Sequence, residues 1–449
     1  MEYNISNGLE LDDNSSIAVI GGGPAGSFFT YFALDFAQRV GIDLNIDIYE
    51  AKDFTCAGPS GCNHCGGIVS ESLIQMLSAE GIVLPANVIQ KGIETYTLHL
   101  ESGTTVIETP LREQRIAAVY RGFGPKGSHE DDQESFDNYL LQLCEQKGAH
   151  LYIDKVINLN RTADGIFLKS LKSGEKQYDL VVGAAGLNPK TLSLFKSICP
   201  SYVSPETTKT HICEFYLDPE VVDEYFGNSM HVFLLDVPNI KFGALIPKGH
   251  YVTLVLLGSN INRDIVKSFL DTKEVRQCFP PDIDLEKIIP CFCFPTINIK
   301  AAKSAYSDRA IMIGDSSSSK LYKNGIGSAY ITAKAAAKTA IFEGISEKDF
   351  KKTYQKVCNE LNLDNKIGKG IFALTTIIQK SPMLKKGLYK MVVNEQSKNS
   401  EKRRMSSILW DTFTGSAPYT DILKRGLHPL VGSTLILNTI KGTFKNNRI

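Results

Sequence analysis

A short apolar run that meets a glycine-rich turn is the feature that most limits how this chain can fold. The run begins at Ile17 and leads into Gly21-Gly-Gly-Pro-Ala-Gly26, and a largely apolar stretch follows to Ala37. Glycines in the pattern Gly-x-Gly-x-x-Gly allow a tight turn, the close approach of a pyrophosphate and close packing of a helix on a strand. The pattern therefore predicts a strand–turn–helix unit whose helix N-terminus faces the phosphates of a dinucleotide.

A second strand supports this interpretation. The apolar alternation over 44–49 predicts that strand, and Glu50 stands at its end. In dinucleotide-binding units an acidic residue roughly 20 to 25 positions after the last glycine accepts hydrogen bonds from a ribose. Because strand, turn, helix, second strand and acid follow in this order, we interpret residues 15–50 as a dinucleotide-binding β-α-β unit.

Length and composition define the broad class. A chain of 449 residues predicts two or three domains. The first 14 residues are polar and acidic, and no window of about 18 to 20 residues is uninterruptedly apolar, so neither a signal peptide nor a spanning helix is predicted. Ten cysteines without a secretion signal indicate a reducing compartment, and we expect a cytoplasmic location.

Charge is distributed unevenly along the chain. The formal net charge is zero, yet residues 343–449 contain 19 Lys and Arg against 9 Asp and Glu. This basic region predicts either an anionic partner, such as a membrane surface or an acidic protein, or a solvated helical face. Its apolar segment 429–440 precedes Lys441 and Lys445, which fits an interfacial anchor or a core-docked helix equally. No nucleic-acid-binding motif is present, and no nucleic acid partner is expected.

Later segments return the chain to the first unit. Tyr178–Gly186 is an apolar strand that ends in small residues, and a second such strand ends at Gly314-Asp315, before Gly325, Gly327 and an alanine-rich helix. Residues 190–300 alternate with frequent turns, which predicts a mostly antiparallel sheet. Residues 92–119 alternate in the manner of exposed strands.

The order of these three glycine-punctuated segments resembles that of FAD-dependent oxidoreductases with the p-hydroxybenzoate hydroxylase-like fold. Within that class the chain looks most like the geranylgeranyl reductase family, over residues 15 to about 345. The resemblance implies an α/β fold: a glutathione-reductase-type FAD-binding domain with an inserted, mostly antiparallel β substrate domain and a helical C-terminal region. The implied FAD-binding parts are 1–91, 120–189 and 301–345; the substrate-domain parts are 92–119 and 190–300; the helical basic region is 346–449.

The resemblance also implies roles for individual residues. Arg121 falls where the family has an arginine near the flavin's phosphates, and a bidentate guanidinium suits that task. Asp315 falls at the ribityl–pyrophosphate region, and the helix after Gly325 would aim its N-terminus at the isoalloxazine. The implied FAD-binding residues are Gly21, Gly23, Pro24, Ala25, Gly26, Glu50, Ala51, Gly66, Gly67, Arg121, Gly186, Gly314, Asp315, Gly325, Ile326 and Gly327.

The implied reaction is reduction of a carbon–carbon double bond in an apolar prenyl or isoprenoid lipid by hydride transfer from reduced flavin. Cys65 precedes two glycines, as a cysteine does in the family, and is the candidate catalytic residue, either as a proton donor or as a redox relay. Phe215, Phe233, Phe242 and Pro247 are the candidate substrate-pocket residues, although aromatic residues on strands also serve as ordinary core. Ala185, where hydroxylases have aspartate, argues against a hydroxylase that uses NADPH in the usual way.

Other interpretations remain open at this stage. One is a flavin-dependent monooxygenase or halogenase, and another is a non-catalytic prenyl-binding protein on a flavin fold. No second dinucleotide fingerprint is present, so electrons would come from a ferredoxin, a quinone or transiently bound NAD(P)H. Cys56, Cys62 and Cys65 could be redox-active, metal-binding or inert, but a second cysteine pair is absent nearby and no metal is predicted. His231 lies on a predicted strand, where a structural histidine is the ordinary expectation.

Overall fold

The computed structural model describes residues 9–62, 66–108, 116–125, 133–322, 324–397 and 403–444. The strands in these ranges fall into one parallel sheet, one large mostly antiparallel sheet and three small ones. In chain order they are β1 Ser16–Ile20, β2 Asn45–Glu50, β3 Ile68–Val69, β4 Ile89–Ile93, β5 Thr95–Leu100, β6 Gly103–Glu108, β7 Ile116–Val119, β8 His150–Ile153, β9 Val156–Arg161, β10 Ile166–Ser170, β11 Glu175–Tyr178, β12 Leu180–Gly183, β13 Glu206–Lys209, β14 His211–Tyr216, β15 Ser229–Phe233, β16 Ile240–Lys248, β17 Tyr251–Gly258, β18 Cys291–Cys293, β19 Thr296–Lys300, β20 Tyr306–Ser307 and β21 Ala310–Met312.

The helices pack on the faces of the two main sheets, and several of them begin at residues whose side chains cap the first turn, such as Ser70 and Ser135. In chain order they are α1 Pro24–Val40, α2 Glu71–Ala79, α3 Phe136–Gln146, α4 Pro189–Leu194, α5 Pro219–Tyr225, α6 Arg263–Leu270, α7 Lys273–Arg276, α8 Gly325–Phe342, α9 Glu347–Lys352, α10 Tyr354–Lys380, α11 Pro382–Ser397, α12 Arg404–Thr414, α13 Tyr419–Gly426 and α14 Pro429–Phe444.

The parallel sheet has the strand order β20-β21-β12-β1-β2-β8, and β20 alone of these described strands runs antiparallel to its neighbour. Ile17 and Val19 point to the face that α1 and α8 cover, and Ala18 and Ile20 point to the face that the β11-β10-β9 sheet covers. Because both faces are buried, the strands are nearly continuous apolar runs instead of alternating ones.

The large sheet has the order β18-β14-β17-β16-β15-β5-β6 and is antiparallel except for the β15–β5 pair. Residues alternate between its two faces, which belong to two separate cores. The sequence prediction that 92–119 forms exposed strands is wrong for β5, because this strand lies inside the sheet and all but its first residue are buried.

The C-terminal helices cover one face of the large sheet. The indole of Trp410 on α12 lies 4.4 Å from the ring of Tyr96 on β5, and Phe372 on α10 stacks on Phe242 of β16 at 6.2 Å. Phe413 packs in the same core. Apolar burial of these large aromatic rings therefore holds the C-terminal region against the sheet. Among the described helices, none has both the length and the apolarity required to cross a membrane.

Candidate active site

The glycine-rich turn joins the carboxyl end of β1 to α1. Gly21 has a φ of +111°, and a Cβ atom added there would lie 2.5 Å from the backbone oxygen of Ala184. A Cβ atom on Gly26 would lie 1.9 Å from the Gly21 carbonyl oxygen. Gly23 is the N-cap residue of α1 and offers no side chain to cap the helix. The backbone N–H groups of the first turn therefore have neither an intrahelical partner nor a capping side chain. This turn is built to bring bare backbone and a positive helix end to a ligand.

Glu50 holds the turn from the neighbouring strand. Its Oε2 accepts a hydrogen bond from the backbone N–H of Gly22 at 2.8 Å, and its Oε1 accepts one from that of Lys52 at 2.9 Å. Burial raises the pKa of the Glu50 carboxyl, and these two hydrogen bonds oppose the rise. A carboxylate has about four acceptor positions, so two remain for a ligand hydroxyl.

Arg121 is fixed by a carboxylate that the sequence reading did not assign to it. Its Nε and Nη2 donate to the two carboxylate oxygens of Asp137 at 2.9 and 2.8 Å. The Asp137 side chain is fully buried, whereas 19% of the Arg121 side chain is exposed. One edge of the guanidinium therefore binds Asp137, and the role of Arg121 near the flavin's phosphates stays a prediction.

Gly314 and Asp315 form a tight turn after β21. Gly314 has a φ of +59°, and its N–H donates to the hydroxyl of Thr332 on α8 at 2.9 Å. Burial raises the pKa of the Asp315 carboxyl, while the hydroxyl of Ser319 and the charge of Arg121 lower it. Asp315 is thus a partly buried carboxyl at the cavity wall, near a hydroxyl and a cation.

The N-terminus of α8 is capped by Asn324, whose backbone is left-handed with φ +50°. Its Oδ1 accepts from the N–H of Gly327 at 2.8 Å, and its Nδ2 donates to the Gly415 carbonyl at 3.1 Å. A Cβ atom on Gly327 would lie 2.4 Å from that Oδ1. The absence of a side chain at Gly327 is therefore required by the Asn324 cap.

These elements surround a continuous cavity of about 720 Å³. Its polar lobe is lined by the glycine turn, Glu50, Arg121, Asp315 and the start of α8. Its apolar lobe lies on one face of the large sheet, where Val255 is paired with Ala244 on one side and Ile212 on the other. The apolar-lobe residues are Ile212, Met230, Phe242, Ala244, Ile246, Val255, Leu257, Phe294 and Phe413.

Most residues implied by the resemblance meet at this cavity. Gly26, Gly314 and Gly327 stand just behind its wall and shape the backbone there. Cys65 lies outside the described residues. The implied FAD-binding residues that line the cavity are Gly21, Gly23, Pro24, Ala25, Glu50, Ala51, Gly66, Gly67, Arg121, Gly186, Asp315, Gly325 and Ile326.

Of the four candidate substrate residues, Phe242 lines the cavity, and Phe215, Phe233 and Pro247 do not. Phe215 packs edge-on against Phe279 at 5.1 Å, and Phe233 stacks on His99 at 4.5 Å, both in the core on the opposite face of the large sheet. Side chains alternate along a strand, so a one-residue offset moves a ring to the other face. Pro247 is a buried residue near the end of β16.

Sequence reading also missed several lining residues. Asn298 of β19 donates to the Asp315 carbonyl at 3.2 Å, and Phe413 and Thr414 come from the C-terminal helix α12. No local motif marks these positions, because each reaches the cavity through long-range packing.

A buried lysine lies behind the cavity wall at Gly67. Lys248 is 1% exposed, and its Nζ lies 4.9 Å above the ring of Tyr120. A Cβ atom on Gly67 would lie 3.0 Å from this Nζ and 1.9 Å from the Val119 carbonyl oxygen. The cavity wall therefore has bare backbone at Gly66 and Gly67, with the Lys248 side chain directly behind Gly67.

The chain shares its overall fold with solved flavoproteins, one of them in complex with FAD. Among solved structures, the chain is similar to a geranylgeranyl bacteriochlorophyll reductase-like protein from Thermoplasma acidophilum, with a TM-score of 0.63 and 15% identity over 93% of this chain and 99% of that one. It is similar to p-nitrophenol 4-monooxygenase from Pseudomonas putida, with a TM-score of 0.57 and 9% identity over 91% and 100%. It is also similar to the halogenase PltM in complex with phloroglucinol and FAD, with a TM-score of 0.58 and 10% identity over 97% and 92%. No protein-family model and no curated protein sequence matches the chain.

Proposed function

We propose that this protein is an FAD-dependent oxidoreductase that holds FAD along the polar lobe and an apolar substrate in the adjoining lobe. The observation that carries the proposal is the continuity of the cavity, which runs from the glycine turn to the apolar face of the large sheet. A cofactor lying along the first lobe would have its far end at the entrance to the second.

The residues present fit FAD. The bare turn at Gly21–Ala25 and the start of α1 would hold the pyrophosphate, and Glu50 has acceptor positions left for a ribose hydroxyl. Arg121 and Asp315 would border the ribityl–phosphate part. The start of α8 and the ammonium of Lys248 would place positive potential at the isoalloxazine.

We propose reduction of a carbon–carbon double bond in a prenyl-like lipid as the reaction. Bound FAD, once reduced, would supply the hydride, and the apolar wall would orient a hydrocarbon chain and exclude water from it. Ala244 stands at the middle of this wall, where a small side chain leaves width for a branched chain. Cys65 remains the predicted source of the accompanying proton.

A monooxygenase or halogenase is the second candidate, because the chain shares its fold with enzymes of both classes. The chemical identity of the reaction product distinguishes the candidate functions. A reductase adds two hydrogens to a geranylgeranyl substrate under anaerobic conditions, whereas a monooxygenase needs oxygen and inserts it, and a halogenase inserts halide.

The first experiment is an absorption spectrum of the purified chain, followed by anaerobic reduction with NADPH and, separately, with reduced ferredoxin. A flavin spectrum and reduction by either donor support the proposal and identify the donor. Asp315→Asn should weaken FAD binding by roughly tenfold or more, because a charged hydrogen-bond acceptor is lost. Asp282→Asn, at an exposed position, is the matched control. A colourless protein that binds no added FAD would refute the proposal.

Cys65→Ser tests the catalytic thiol separately. The variant should keep the flavin spectrum and lose most turnover of a geranylgeranyl substrate. Unchanged turnover would remove Cys65 from the proposed reaction.

We further propose that the C-terminal helices rest on an anionic membrane surface, from which a lipid substrate would enter. Val431 of α14 is buried in the core, whereas Leu430 and Leu437 on the same helix are 52% and 54% exposed and lie seven residues apart, on one face. Leucines flanked by lysines are typical of interfacial helices. Cosedimentation with anionic vesicles, reduced in Leu430→Ser and absent with neutral vesicles, is the expected result.

A further inference from the structure

Three side chains of metal-binding type converge in the core on the face of the large sheet opposite the cavity. His99 comes from β5, His231 from β15 and Cys278 from the segment after α7. His99 Nε2 lies 3.1 Å from His231 Nδ1, and the Cys278 Sγ lies 3.4 Å from His231 Nδ1 and 3.7 Å from His99 Nε2. Among the residues that the structure describes, this is the set of three such groups that comes close enough to hold one ion.

The separations match those of ligands around a single ion. Zinc–nitrogen bonds of about 2.0–2.1 Å and a zinc–sulfur bond of about 2.3 Å place tetrahedral ligand atoms roughly 3.3–3.6 Å apart. His99 Nδ1 also lies 3.1 Å from the Thr104 hydroxyl. That contact can hold the proton on Nδ1 and leave the Nε2 lone pair directed at the other two groups, as second-shell partners of metal-bound histidines do.

Apolar side chains surround the three groups. His99, His231 and Cys278 are 5%, 7% and 3% exposed, and the rings of Phe226 and Phe233 pack against the histidines. Burial lowers the pKa of His99 to about 4 and, together with the neighbouring His99, that of His231 to about 3. Burial alone would keep Cys278 a thiol, and a bound cation would displace its proton.

We propose that His99, His231 and Cys278 bind one thiophilic d¹⁰ cation, Zn²⁺ or Cu⁺, as a structural cross-link. The ion would join the β5–β15 pair to the segment after α7, two parts of the chain separated by long stretches of sequence. On binding, the sulfur–proton bond breaks, the sulfur–metal bond forms and the proton leaves to solvent. The sequence reading expected no metal here.

Charge balance distinguishes the two ions. Cu⁺ with one thiolate and two neutral imidazoles is neutral, which suits an apolar core. Zn²⁺ with the same ligands carries one positive charge and needs a water, hydroxide or other anion as its fourth ligand. The site lies away from the candidate active site, so it does not depend on the proposed oxidoreductase function.

The test is elemental analysis of the full chain purified without chelators from cells supplied with zinc or with copper. We expect about one Zn or Cu per chain, and at least a fivefold loss in Cys278→Ser and in His231→Gln. Cys199→Ser is the matched control, because Cys199 is equally buried but bonded to a serine hydroxyl instead of histidines. The supplied metal that is retained at one per chain identifies the ion.

A second measurement keeps the proposal falsifiable if a variant fails to fold. Wild-type protein treated with chelator should regain thermal stability when Zn²⁺ or, anaerobically, Cu⁺ is added, with the midpoint rising by about 3 °C or more. Co²⁺ should add the absorption bands of a cobalt–thiolate bond in the wild type and not in Cys278→Ser. Metal content equal in all variants, or no metal and no shift on addition, would show a hydrogen-bonded triad instead and overturn the proposal.

Discussion

Removal of either partner of the Arg121–Asp137 pair should destabilise the protein unequally. In Arg121→Gln the carboxylate of Asp137, whose side chain has no exposure, loses its countercharge. In Asp137→Asn the guanidinium that loses its partner is 19% exposed and borders a cavity that also contains Asp315. The buried anion has less access to solvent than the cation, so Arg121→Gln should be the more damaging change.

The expected losses in the free energy of unfolding follow from how deeply each charged side chain is buried. Breaking a buried pair typically lowers the free energy of unfolding by about 3–5 kcal/mol, and we expect Arg121→Gln in that range. Loss of hydrogen bonds to a charged group that keeps some solvent contact typically lowers it by about 1.5–3 kcal/mol, which is the expectation for Asp137→Asn. A surface control, Arg276→Gln, removes the exposed pair with Asp271 and should change stability by less than about 1 kcal/mol.

The assay is urea unfolding at neutral pH, followed by intrinsic fluorescence and by circular dichroism, for the wild type, each single variant and the double variant. Coincident transitions would justify a two-state comparison. The double variant should be more stable than the sum of the single losses predicts, because each single variant already loses the interaction that the two side chains share. Losses below 1 kcal/mol in both single variants, or a larger loss in Asp137→Asn, would refute the burial argument.

Three further perturbations follow from the site and its surroundings. Gly21→Ala places a Cβ atom 2.5 Å from the Ala184 oxygen at a positive φ, so it should lower stability by at least about 2 kcal/mol in urea unfolding and abolish flavin absorbance. Burial raises the pKa of the Glu214 carboxyl above its ordinary 4.5, so the folded state binds the carboxyl proton more tightly than the unfolded state does. The free energy of unfolding should therefore fall as the pH rises from below 4.5 through the raised pKa of the folded state. Glu214→Gln should remove this fall in a pH series of unfolding midpoints. Ala244→Phe should keep flavin absorbance and raise the KM of a geranylgeranyl substrate at least tenfold, and an unchanged KM would place the substrate elsewhere.

The parts of the fold that depend on local chemistry could be predicted from the sequence. Gly21 and Gly26 sit where only a bare backbone fits, and Glu50 ends the strand beside them, so their spacing along the chain encodes their arrangement in space. The same is true of the turn at Gly314. These residues are close together in the sequence or directly follow buried strands, and few other residue types fit the glycine-rich turn and the strand ends.

The face of the large sheet on which each residue lies could not be predicted from the same information. Phe215 and Phe233 are aromatic residues on strands of the correct sheet, yet both point away from the cavity, whereas Met230 and Ile212 point into it. Strand register is determined by pairing between distant segments, and β14 and β15, which contain these two rings, contribute apolar residues to the cores on both faces. Composition alone therefore leaves the two faces equivalent.

The contacts of the charged and metal-binding side chains could not be predicted from the sequence for a related reason. His99 and His231 are 132 positions apart and become neighbours through the parallel pairing of β5 with β15. The sequence alternation had predicted exposed strands for the region that contains His99. No spacing rule connects three ligands supplied by separate strands and a loop.

The position of Phe413 and Thr414 in the cavity wall has a consequence for how the protein matures. A ribosome must add every residue up to α12 before these two residues emerge, and the cavity lacks this part of its wall until then. The nascent β-α-β unit at residues 15–50 can fold early, but a ligand that needs the whole enclosure would be captured only after α12 has been added. Shortening the chain ahead of α12 would accordingly yield a partly folded polypeptide with an open trough in place of a chamber.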